Sequence, residues 1–416
     1  MKVVILSNDD LKWGAGKAAY RLHQGLQKHP INSHFLVQNK LSDDDTVIAP
    51  KKALGKAMAK IRPTLNSLPL QLFYPEANSS MYCTQWLPDT ISKTVAQFSP
   101  DLINLHNITL GYVQIETLAR FKCPLVWTLH DMWTFTGGCH YSNGCDRYQN
   151  QCGACPQLYS QREKDLSRWI WQRKAKSWKN LNLTIVALSH WMADCIQRSS
   201  LLKDFPLEII PNGLDLERFK PIDKPLARQL LNLPQDKPLI LFGAMNATLD
   251  PRKGAHLLYP AIQKLNQAQG QDNIQLVIFG ATRPTEAIEF GYPTYYLGRL
   301  NDDIALSLAY SAADVFIAPS QEDNLPNTVL EALACGTPCV AFKIGGIPDL
   351  IEHQKNGYLA QPFEIEDLTR GIDWVLKTVQ SSPHLSLQAR QKVETQFNQL
   401  LQVNRYHSLF KKLIQS

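Results

Sequence analysis

Short apolar runs, each followed by a stretch with helical spacing, occur along this chain in two successive series. The first series begins with KVVILSN (2–8) and ends with LTIVALS (183–189), and the second begins with PLILFGA (238–244) and ends with GYLA (357–360). Runs that are apolar throughout are typical of parallel strands covered by helices on both faces. The alternation therefore predicts an α/β protein built from two doubly wound parallel sheets.

The boundary between the two predicted domains lies near residue 206. Chain-breaking residues are dense there: Pro206, Pro211, Gly213 and Pro221. Segments with this composition are typical of linkers. We therefore expect a first domain at 1–205, a second at 206–384 and a C-terminal helix at 385–416. A cleft between the two sheets is the expected active site.

The composition is that of a large soluble enzyme. The chain has 416 residues, of which 44% are hydrophobic and 19% charged, and its formal net charge is +6. This charge argues only weakly for an anionic partner, and we expect no nucleic-acid partner. The N-terminal apolar run is too short for a signal peptide, and no run approaches the roughly 20 residues that cross a bilayer. A cytoplasmic location is expected.

Residues 319–338, PSQEDNLPNTVLEALACGTP, combine a strand end, an acidic loop and a helix. Thr328 stands three residues before Glu331, which predicts a capping box at the start of the helix. The helix N-terminus then lies at the carboxyl edge of the sheet, where backbone amides and the helix dipole attract phosphate. On spacing alone, Glu331 is equally well explained as a capping residue that contacts no ligand.

This segment resembles the nucleotide-sugar signature of retaining GT-B glycosyltransferases of family 4, in which two acidic residues separated by seven others precede a Cys-Gly-Thr-Pro-like turn. Asp323 and Glu331 have this spacing. The resemblance implies two Rossmann-like domains facing across a cleft, with the C-terminal helix packed back on the acceptor-side first domain. It implies that Glu331 holds the ribose of a nucleoside-diphosphate sugar and that Asp323 contacts the donor sugar. Glu322 is an alternative first acid, and Pro326 has no amide to donate.

The resemblance extends to two further segments. Gly14 and Gly16 precede a predicted helix, and in the family this loop lies beside the donor phosphates and the acceptor. The family's equivalent of Lys253 neutralises the leaving diphosphate together with an upstream arginine. That arginine is Ala244 here, so Arg252 is the candidate substitute. From the residues alone, a plain strand-to-helix turn and a solvated helix start remain alternatives.

His130 ends the predicted strand PLVWTLH (124–130). Ligand-facing groups gather at this edge of parallel sheets, although a histidine there is more often a hydrogen-bonded structural residue. In related enzymes a histidine at this position contacts the donor sugar and aligns the reacting groups. Together with Arg252, Lys253 and Asp323 it forms the predicted catalytic set. The predicted donor-binding set contains Gly14, Gly16, Asn324, Asn327, Thr328 and Glu331.

Four cysteines follow His130 within 17 residues: Cys139, Cys145, Cys152 and Cys155. They could ligate a structural zinc, form two disulfides or stay reduced. This run resembles the family 4 enzymes that build bacterial surface polysaccharides, including colanic-acid-type transferases. The resemblance implies that no metal is required for the chemistry itself.

Residues 50–65 place Leu54, Met58 and Ile61 on one helical stripe, with lysines on the other faces. A basic amphipathic helix of this kind binds anionic membrane surfaces, but it is equally typical of a helix packed against its own domain. A peripheral membrane contact would bring the enzyme to a polyprenyl-linked acceptor at the inner face of the plasma membrane.

The function expected from the resemblance is transfer of a sugar, with retention, from a nucleoside-diphosphate sugar to a hydroxyl of a glycan acceptor in surface polysaccharide biosynthesis. Other GT-B enzymes, such as a nucleotide-sugar epimerase or a phosphorylase, are alternatives. A scaffold that binds a sugar nucleotide without turnover is another, because Ala244 and Pro326 depart from the family pattern.

Overall fold

The computed structural model describes residues 1–78, 81–244, 250–269, 274–281, 292–300 and 302–415. The chain divides into two compact units. Unit 1 contains residues 1–211 and 402–416, and unit 2 contains residues 212–401. In the described ranges, no helix is both long and apolar enough to span a membrane.

Unit 1 is built on a sheet in which every strand pairing among the described residues is parallel. Its strands are β1 (Lys2–Asp9), β2 (Asn32–Asn39), β3 (Val47–Ile48), β4 (Leu102–Leu105), β5 (Leu125–Leu129), β6 (Leu183–Ala187) and β7 (Leu207–Ile209). They lie in the order β3-β2-β1-β4-β5-β6-β7. The first predicted parallel sheet is confirmed.

Helices cover both faces of this sheet. They are α1 (Gly14–Gln27), α2 (Ala53–Phe73), α3 (Ile91–Ala96), α4 (Leu166–Trp178), α5 (His190–Arg198) and, at the end of the chain, α13 (Gln399–Gln415). Val3 and Ile5 of β1 belong to a different apolar cluster from Val4 and Leu6. Alternate residues of a strand point to opposite faces, so both faces of the sheet are buried.

Unit 2 contains a second parallel sheet with the strand order β10-β9-β8-β11-β12-β13. Its strands are β8 (Leu239–Gly243), β9 (Gln275–Phe279), β10 (Thr294–Gly298), β11 (Val315–Ala318), β12 (Cys339–Phe342) and β13 (Gly357–Ala360). Its helices are α6 (Lys224–Leu230), α7 (Ala255–Gln269), α8 (Asp303–Ala312), α9 (Asn327–Ala334), α10 (Ile347–Leu350), α11 (Ile365–Ser381) and α12 (His384–Gln396). The prediction of two parallel sheets is confirmed.

Three strands were not predicted. β3 has only two residues, and β7 falls inside the segment interpreted as a linker. β10 reads TYYLG, and all five of its residues are only half-buried. These strands lie at or near the sheet edges, where the continuous apolar pattern of a central strand is weak.

The single C-terminal helix predicted for 385–416 is wrong, because the structure has two helices there. α12 ends at Gln396, and Phe397 and Asn398 separate it from α13. The break is held by Leu214, whose amide donates to the Phe397 carbonyl at 2.8 Å and whose carbonyl accepts from the Gln399 amide at 3.0 Å. α12 lies in unit 2, whereas most of α13 lies in unit 1.

We predict that Phe410→Ala destabilises unit 1 by about 3–5 kcal/mol, because it removes a fully buried ring from the cluster that α13 shares with β1. Urea unfolding of the full chain measures this change. Leu400→Ala, on the same helix but 53% exposed, is the control and should change the unfolding free energy by less than about 0.5 kcal/mol. Equal effects of the two substitutions would contradict the packing of α13.

Candidate active site

The loop between β11 and α9 carries Asp323 into the interior of unit 2, where the residue is 6% exposed. Its backbone carbonyl accepts a hydrogen bond of 3.0 Å from the Gly346 amide. Gly345 has a φ of +52°, and a Cβ there would lie 2.0 Å from the Asp323 carbonyl oxygen. A side chain cannot be accommodated at this contact, so the segment after β12 fixes the position of Asp323.

The carboxylate of Asp323 contacts two cations from one short turn. Its Oδ2 accepts from Lys253 Nζ at 2.7 Å and from a terminal nitrogen of Arg252 at 3.3 Å. The same Arg252 nitrogen donates to the Glu322 carbonyl at 3.0 Å, and the other terminal nitrogen pairs with Asp250 at 3.3 Å. Glu322 thus gives this cluster its backbone carbonyl, whereas Asp323 gives its carboxylate.

The cluster is largely shielded from water, since the side chain of Lys253 is 18% exposed and that of Asp323 is 8% exposed. Burial by itself would raise the pKa of Asp323, but the positive charges of Lys253 and Arg252 outweigh it and lower that pKa. Burial lowers the pKa of Lys253, and the charge of Asp323 opposes this change. We take both groups as ionised near neutral pH, because loss of either charge would leave the other buried without its partner.

The turn that carries the two cations (Pro251–Lys253) is itself locked to the loop after β11. Gly254 has a φ of +75°, and a Cβ there would lie 1.8 Å from the Pro319 carbonyl oxygen. The Gln321 amide donates to the Arg252 carbonyl at 2.8 Å. Two loops far apart in sequence therefore form one rigid edge. Residues 245–249, which lie between β8 and this turn, are outside the described residues.

The start of α9 differs from the prediction. The helix begins at Asn327 after the N-cap residue Pro326, whose side chain makes no cap hydrogen bond. Thr328 already lies in the first turn, so the predicted capping box is wrong. Glu331 instead accepts a hydrogen bond from the buried Tyr310 hydroxyl at 3.0 Å.

The remaining predicted donor-binding residues of unit 2 also lie at this edge of its sheet. Asn324 is 1% exposed in the loop after β11. Asn327 accepts a hydrogen bond from the Asn212 side chain at 3.2 Å. The structure thus brings Lys253 and Arg252 to the loop and helix that contain the other predicted residues.

In unit 1, His130 follows β5 and forms a pair with His106, which follows β4. His106 Nδ1 and His130 Nε2 are 2.8 Å apart. Both residues line a small pocket at the carboxyl ends of these strands. Burial lowers the pKa of His130 to about 4, and burial together with the neighbouring ring lowers the pKa of His106 well below its usual value.

Gly14 and Gly16, predicted to lie in the loop before a helix, lie in the first turn of α1, which begins at Gly14, and their contact with the donor stays a prediction. Gly16 is buried, and a Cβ there would lie 2.3 Å from Asp9 Oδ1. That same oxygen accepts the backbone amides of Lys12 and Trp13 at 2.8 and 3.1 Å. The small size of Gly16 is therefore explained by a contact with Asp9.

Sequence reasoning missed three polar residues at the end of β1, Ser7, Asn8 and Asp9. Ser7 Oγ, both side-chain polar atoms of Asn8 and Oδ2 of Asp9 are buried without a hydrogen-bond partner among the described residues. Buried polar atoms are normally paired, and unpaired ones point to water or a ligand. The polar run SND directly after an apolar strand was the available signal, because strand ends of parallel sheets collect functional groups.

The four cysteines after His130 line one small pocket. None of the nine cysteines of the chain is joined in a disulfide. No group of three or more His, Cys, Asp or Glu side chains in the described ranges is arranged to hold a metal ion. Zinc binding by this run stays a prediction. His140, next to the first of these cysteines, pairs with Asp131, and its Nδ1 lies 2.8 Å from the Asp131 carboxylate.

We predict that Asp9→Asn stabilises the protein at pH 7 but not at pH 4. Burial raises the pKa of Asp9 from 3.8 to about 6, so the folded state binds the proton more tightly and stability falls as the pH rises between these values. The loss is about 3 kcal/mol, and an uncharged Asn avoids it while keeping the Oδ1 acceptor. Thermal unfolding of both proteins across this pH range measures the difference.

Asp10→Asn is the control for this prediction. Both carboxylate oxygens of Asp10 accept backbone amides, from Leu41 at 2.8 Å and Ser42 at 2.9 Å. An Asn side chain loses one of these acceptors, so this substitution should destabilise the protein. A stability difference between Asp9→Asn and the wild type that does not vary with pH would contradict the role of Asp9 burial.

Comparison with known protein families identifies both halves of the chain. Residues 14–218 match the family described as Glycosyltransferase Family 4, and residues 223–392 match the family described as Glycosyl transferases group 1. The putative colanic acid biosynthesis glycosyl transferase WcaC of Escherichia coli K12 is 25% identical over 363 residues, which are 83% of each chain.

Solved structures show the same fold. Sucrose-phosphate synthase from Thermosynechococcus elongatus has a TM-score of 0.69 and 19% identity, over 99% of this chain and 98% of that one. HepE from Anabaena, solved in complex with UDP-glucose, has a TM-score of 0.65 and 17% identity, over 99% of this chain and 100% of that one. The two family matches show that the chain is a glycosyltransferase of family 4 whose C-terminal half matches the group 1 glycosyl transferases, and the structural likenesses show that it has the GT-B fold.

Proposed function

We propose that this enzyme transfers a sugar, with retention, from a nucleoside-diphosphate sugar to a hydroxyl of a lipid-linked glycan during surface polysaccharide synthesis. The donor class is supported by HepE, a structural neighbour solved with UDP-glucose. The pathway class is supported by WcaC, whose name refers to colanic acid biosynthesis. The observation that carries the proposal is the pair of cations held by Asp323 beside α9.

The leaving diphosphate gains negative charge as the glycosidic bond breaks. Lys253 and Arg252 are already fixed in place by Asp323 and by the locked turn, so they need little reorganisation to meet this charge. The start of α9 adds backbone amide donors and the positive end of the helix dipole. Together these groups stabilise the departing phosphates.

Glu331 and Asp323 orient the donor in this proposal. The Tyr310 hydroxyl binds one oxygen of Glu331 and fixes the plane of its carboxylate, which then accepts the ribose hydroxyls. Asp323 contacts the donor sugar and keeps its two cations aligned. His130, neutral at physiological pH, accepts a hydrogen bond from a sugar hydroxyl. The acceptor hydroxyl attacks the face from which the diphosphate leaves, and the diphosphate takes its proton.

We predict that Lys253→Met lowers kcat/KM by about 100- to 1,000-fold, as expected for loss of one preorganised group that stabilises developing charge. It should also abolish the thermal stabilisation by nucleoside diphosphates, which is roughly 2.7 kcal/mol for the wild type at 100 times the Kd. Transfer from a radiolabelled nucleoside-diphosphate sugar to a lipid-linked acceptor, together with thermal-shift assays, measures both effects.

Lys264→Met is the control for this experiment, because Lys264 lies in the same unit on α7 and pairs with Glu366 at the surface. It should leave rate and ligand stabilisation unchanged. Equal rates for the wild type and Lys253→Met would exclude the leaving-group role. Ligand stabilisation without any transfer would favour a scaffold, and release of an altered free sugar nucleotide would favour an epimerase.

We also propose that α2 lies on an anionic membrane surface. Leu54, Met58 and Ile61 occupy one stripe of the helix, and all three are exposed. The lysines at positions 51, 52, 56 and 60 are exposed as well, and no acidic residue occurs in 46–75. A helix with exposed apolar and basic groups favours an acidic lipid surface over a neutral one.

We predict that replacing Lys52, Lys56 and Lys60 by Gln weakens binding to vesicles of phosphatidylglycerol and phosphatidylcholine by roughly 100-fold, at about 1 kcal/mol per lysine. Vesicle co-sedimentation measures the change, and binding should fall with added salt. A variant with Gln at 264, 355 and 377 has the same net charge and should bind as the wild type does. Equal binding to pure phosphatidylcholine vesicles would contradict the proposal.

A further inference from the structure

A chain of buried hydrogen bonds runs from His130 into the core of unit 1. His130 Nε2 lies 2.8 Å from His106 Nδ1, and His106 Nε2 lies 2.9 Å from Asn104 Oδ1. Asn104 and His106 are 0% and 4% exposed. We propose that His106 is a positioning residue that holds His130 as the Nε2-protonated, neutral tautomer, so that His130 meets its ligand as a hydrogen-bond acceptor. This inference rests on the proposed function only for the identity of that ligand.

The orientation of the Asn104 amide determines which atom donates and which accepts in each hydrogen bond of this network. Asn104 Nδ2 lies 3.1 Å from the Val126 carbonyl oxygen, which can only accept a hydrogen bond. The amide nitrogen must therefore face Val126, and Oδ1 must face His106. Since Oδ1 can only accept, His106 Nε2 carries the proton and donates it to Asn104.

The protonation of His130 follows from this direction. Burial disfavours the charged form of both rings, so each ring carries one proton near neutral pH. A neutral His106 with its proton on Nε2 has a lone pair on Nδ1, which must accept a hydrogen bond from His130 Nε2. The proton of His130 is thereby placed on Nε2, and its Nδ1 becomes an acceptor.

The other end of this hydrogen-bond network reaches α13, the C-terminal helix. Asn104 Nδ2 also lies 3.2 Å from Thr128 Oγ1, and this hydroxyl is 2.8 Å from the Tyr406 hydroxyl of α13. Tyr406 is 0% exposed. The hydrogen-bond network thus connects β4, β5 and α13 to His130, which is half-buried in the wall of the pocket. A network anchored in three elements can hold an imidazole in one tautomer and one plane.

The tautomer constrains what His130 can do. A neutral ring whose Nδ1 has a lone pair cannot supply a proton to a leaving group or donate a hydrogen bond from that nitrogen to a phosphate oxygen. It binds a group that donates, and among the parts of a sugar nucleotide the hydroxyls of the sugar are such groups. This requirement agrees with the contact to a hydroxyl of the donor sugar that the proposed function gives to His130.

The test compares three variants of the full chain. His106→Phe removes the acceptor opposite His130, and we expect kcat to fall about 10- to 100-fold with little change in the KM for the donor; this is the range for partners that orient metal-bound imidazoles. His106→Asn places an amide oxygen near the former Nδ1 position and should recover most of the activity. His23→Phe is the control, since His23 is equally buried, has a pKa lowered by burial to about 4 and bonds Ser33 and Thr46.

Long-range ¹H–¹⁵N NMR of the histidine-labelled protein gives a readout that is independent of activity. We expect His130 to be Nε2-protonated at pH 7 in the wild type and in His106→Asn, and to exchange between tautomers in His106→Phe. An Nδ1-protonated or charged His130 in the wild type would overturn the proposal even in an active enzyme. The expected tautomer in a protein that transfers no sugar would instead remove the proposed function and leave the positioning role intact. An equal loss of kcat in His23→Phe would also overturn the positioning role of His106, because the loss would then be a general effect of destabilisation.

Discussion

The charge balance around Asp323 is the constraint on which the donor site depends. Burying Lys253 and Arg252 without a counter-ion would cost far more than the site could tolerate, and one carboxylate oxygen contacts both cations. A bound diphosphate would bring negative charge of its own to the same cations. In the proposed function, the ligand-free enzyme holds these two phosphate-binding cations in place with the carboxylate of Asp323. The glycines at 254 and 345 make this possible, because they let the neighbouring loops approach closely enough to form the cluster.

The same logic explains why the polar groups gather at strand ends. Both faces of a parallel sheet are covered by helices, so the strands themselves can carry few polar side chains. In the central strands of unit 1, Asn104 and Thr128 are polar, and both are hydrogen-bonded within the core. At the carboxyl ends of the strands, His106 and His130 line a pocket, and the side chain of Asn8 is left without a partner among the described residues.

The sequence predicted the features that depend on local pattern and missed those that depend on contacts between distant segments. The apolar runs predicted the central strands because burial on both faces leaves a continuous signal. The Asp323 to Glu331 spacing indicated the donor loop. The predicted cap at Thr328 is wrong because Pro326, two residues earlier, is already the N-cap residue of α9. His106 could not be recognised, since its partner lies 24 residues away and the pairing exists only once β4 and β5 are adjacent. The contact of Gly16 with Asp9 was hidden because it depends on the conformation of the turn between β1 and α1.

The His106–His130 pair and Asp9, all at the carboxyl ends of strands in the first sheet, differ in how the cost of burying a titratable group is met. His106 and His130 avoid the cost of a buried charge because both are neutral, and one hydrogen bond satisfies the two ring nitrogens that face each other. Asp9 has no such solution, because one oxygen is buried without a partner among the described residues and its pKa is raised to about 6. A site retained at a cost to stability is typical of function, since selection for stability alone would have replaced the carboxylate by an amide. A bound ligand or an ordered water that donates a hydrogen bond to Asp9 Oδ2 would therefore stabilise the fold.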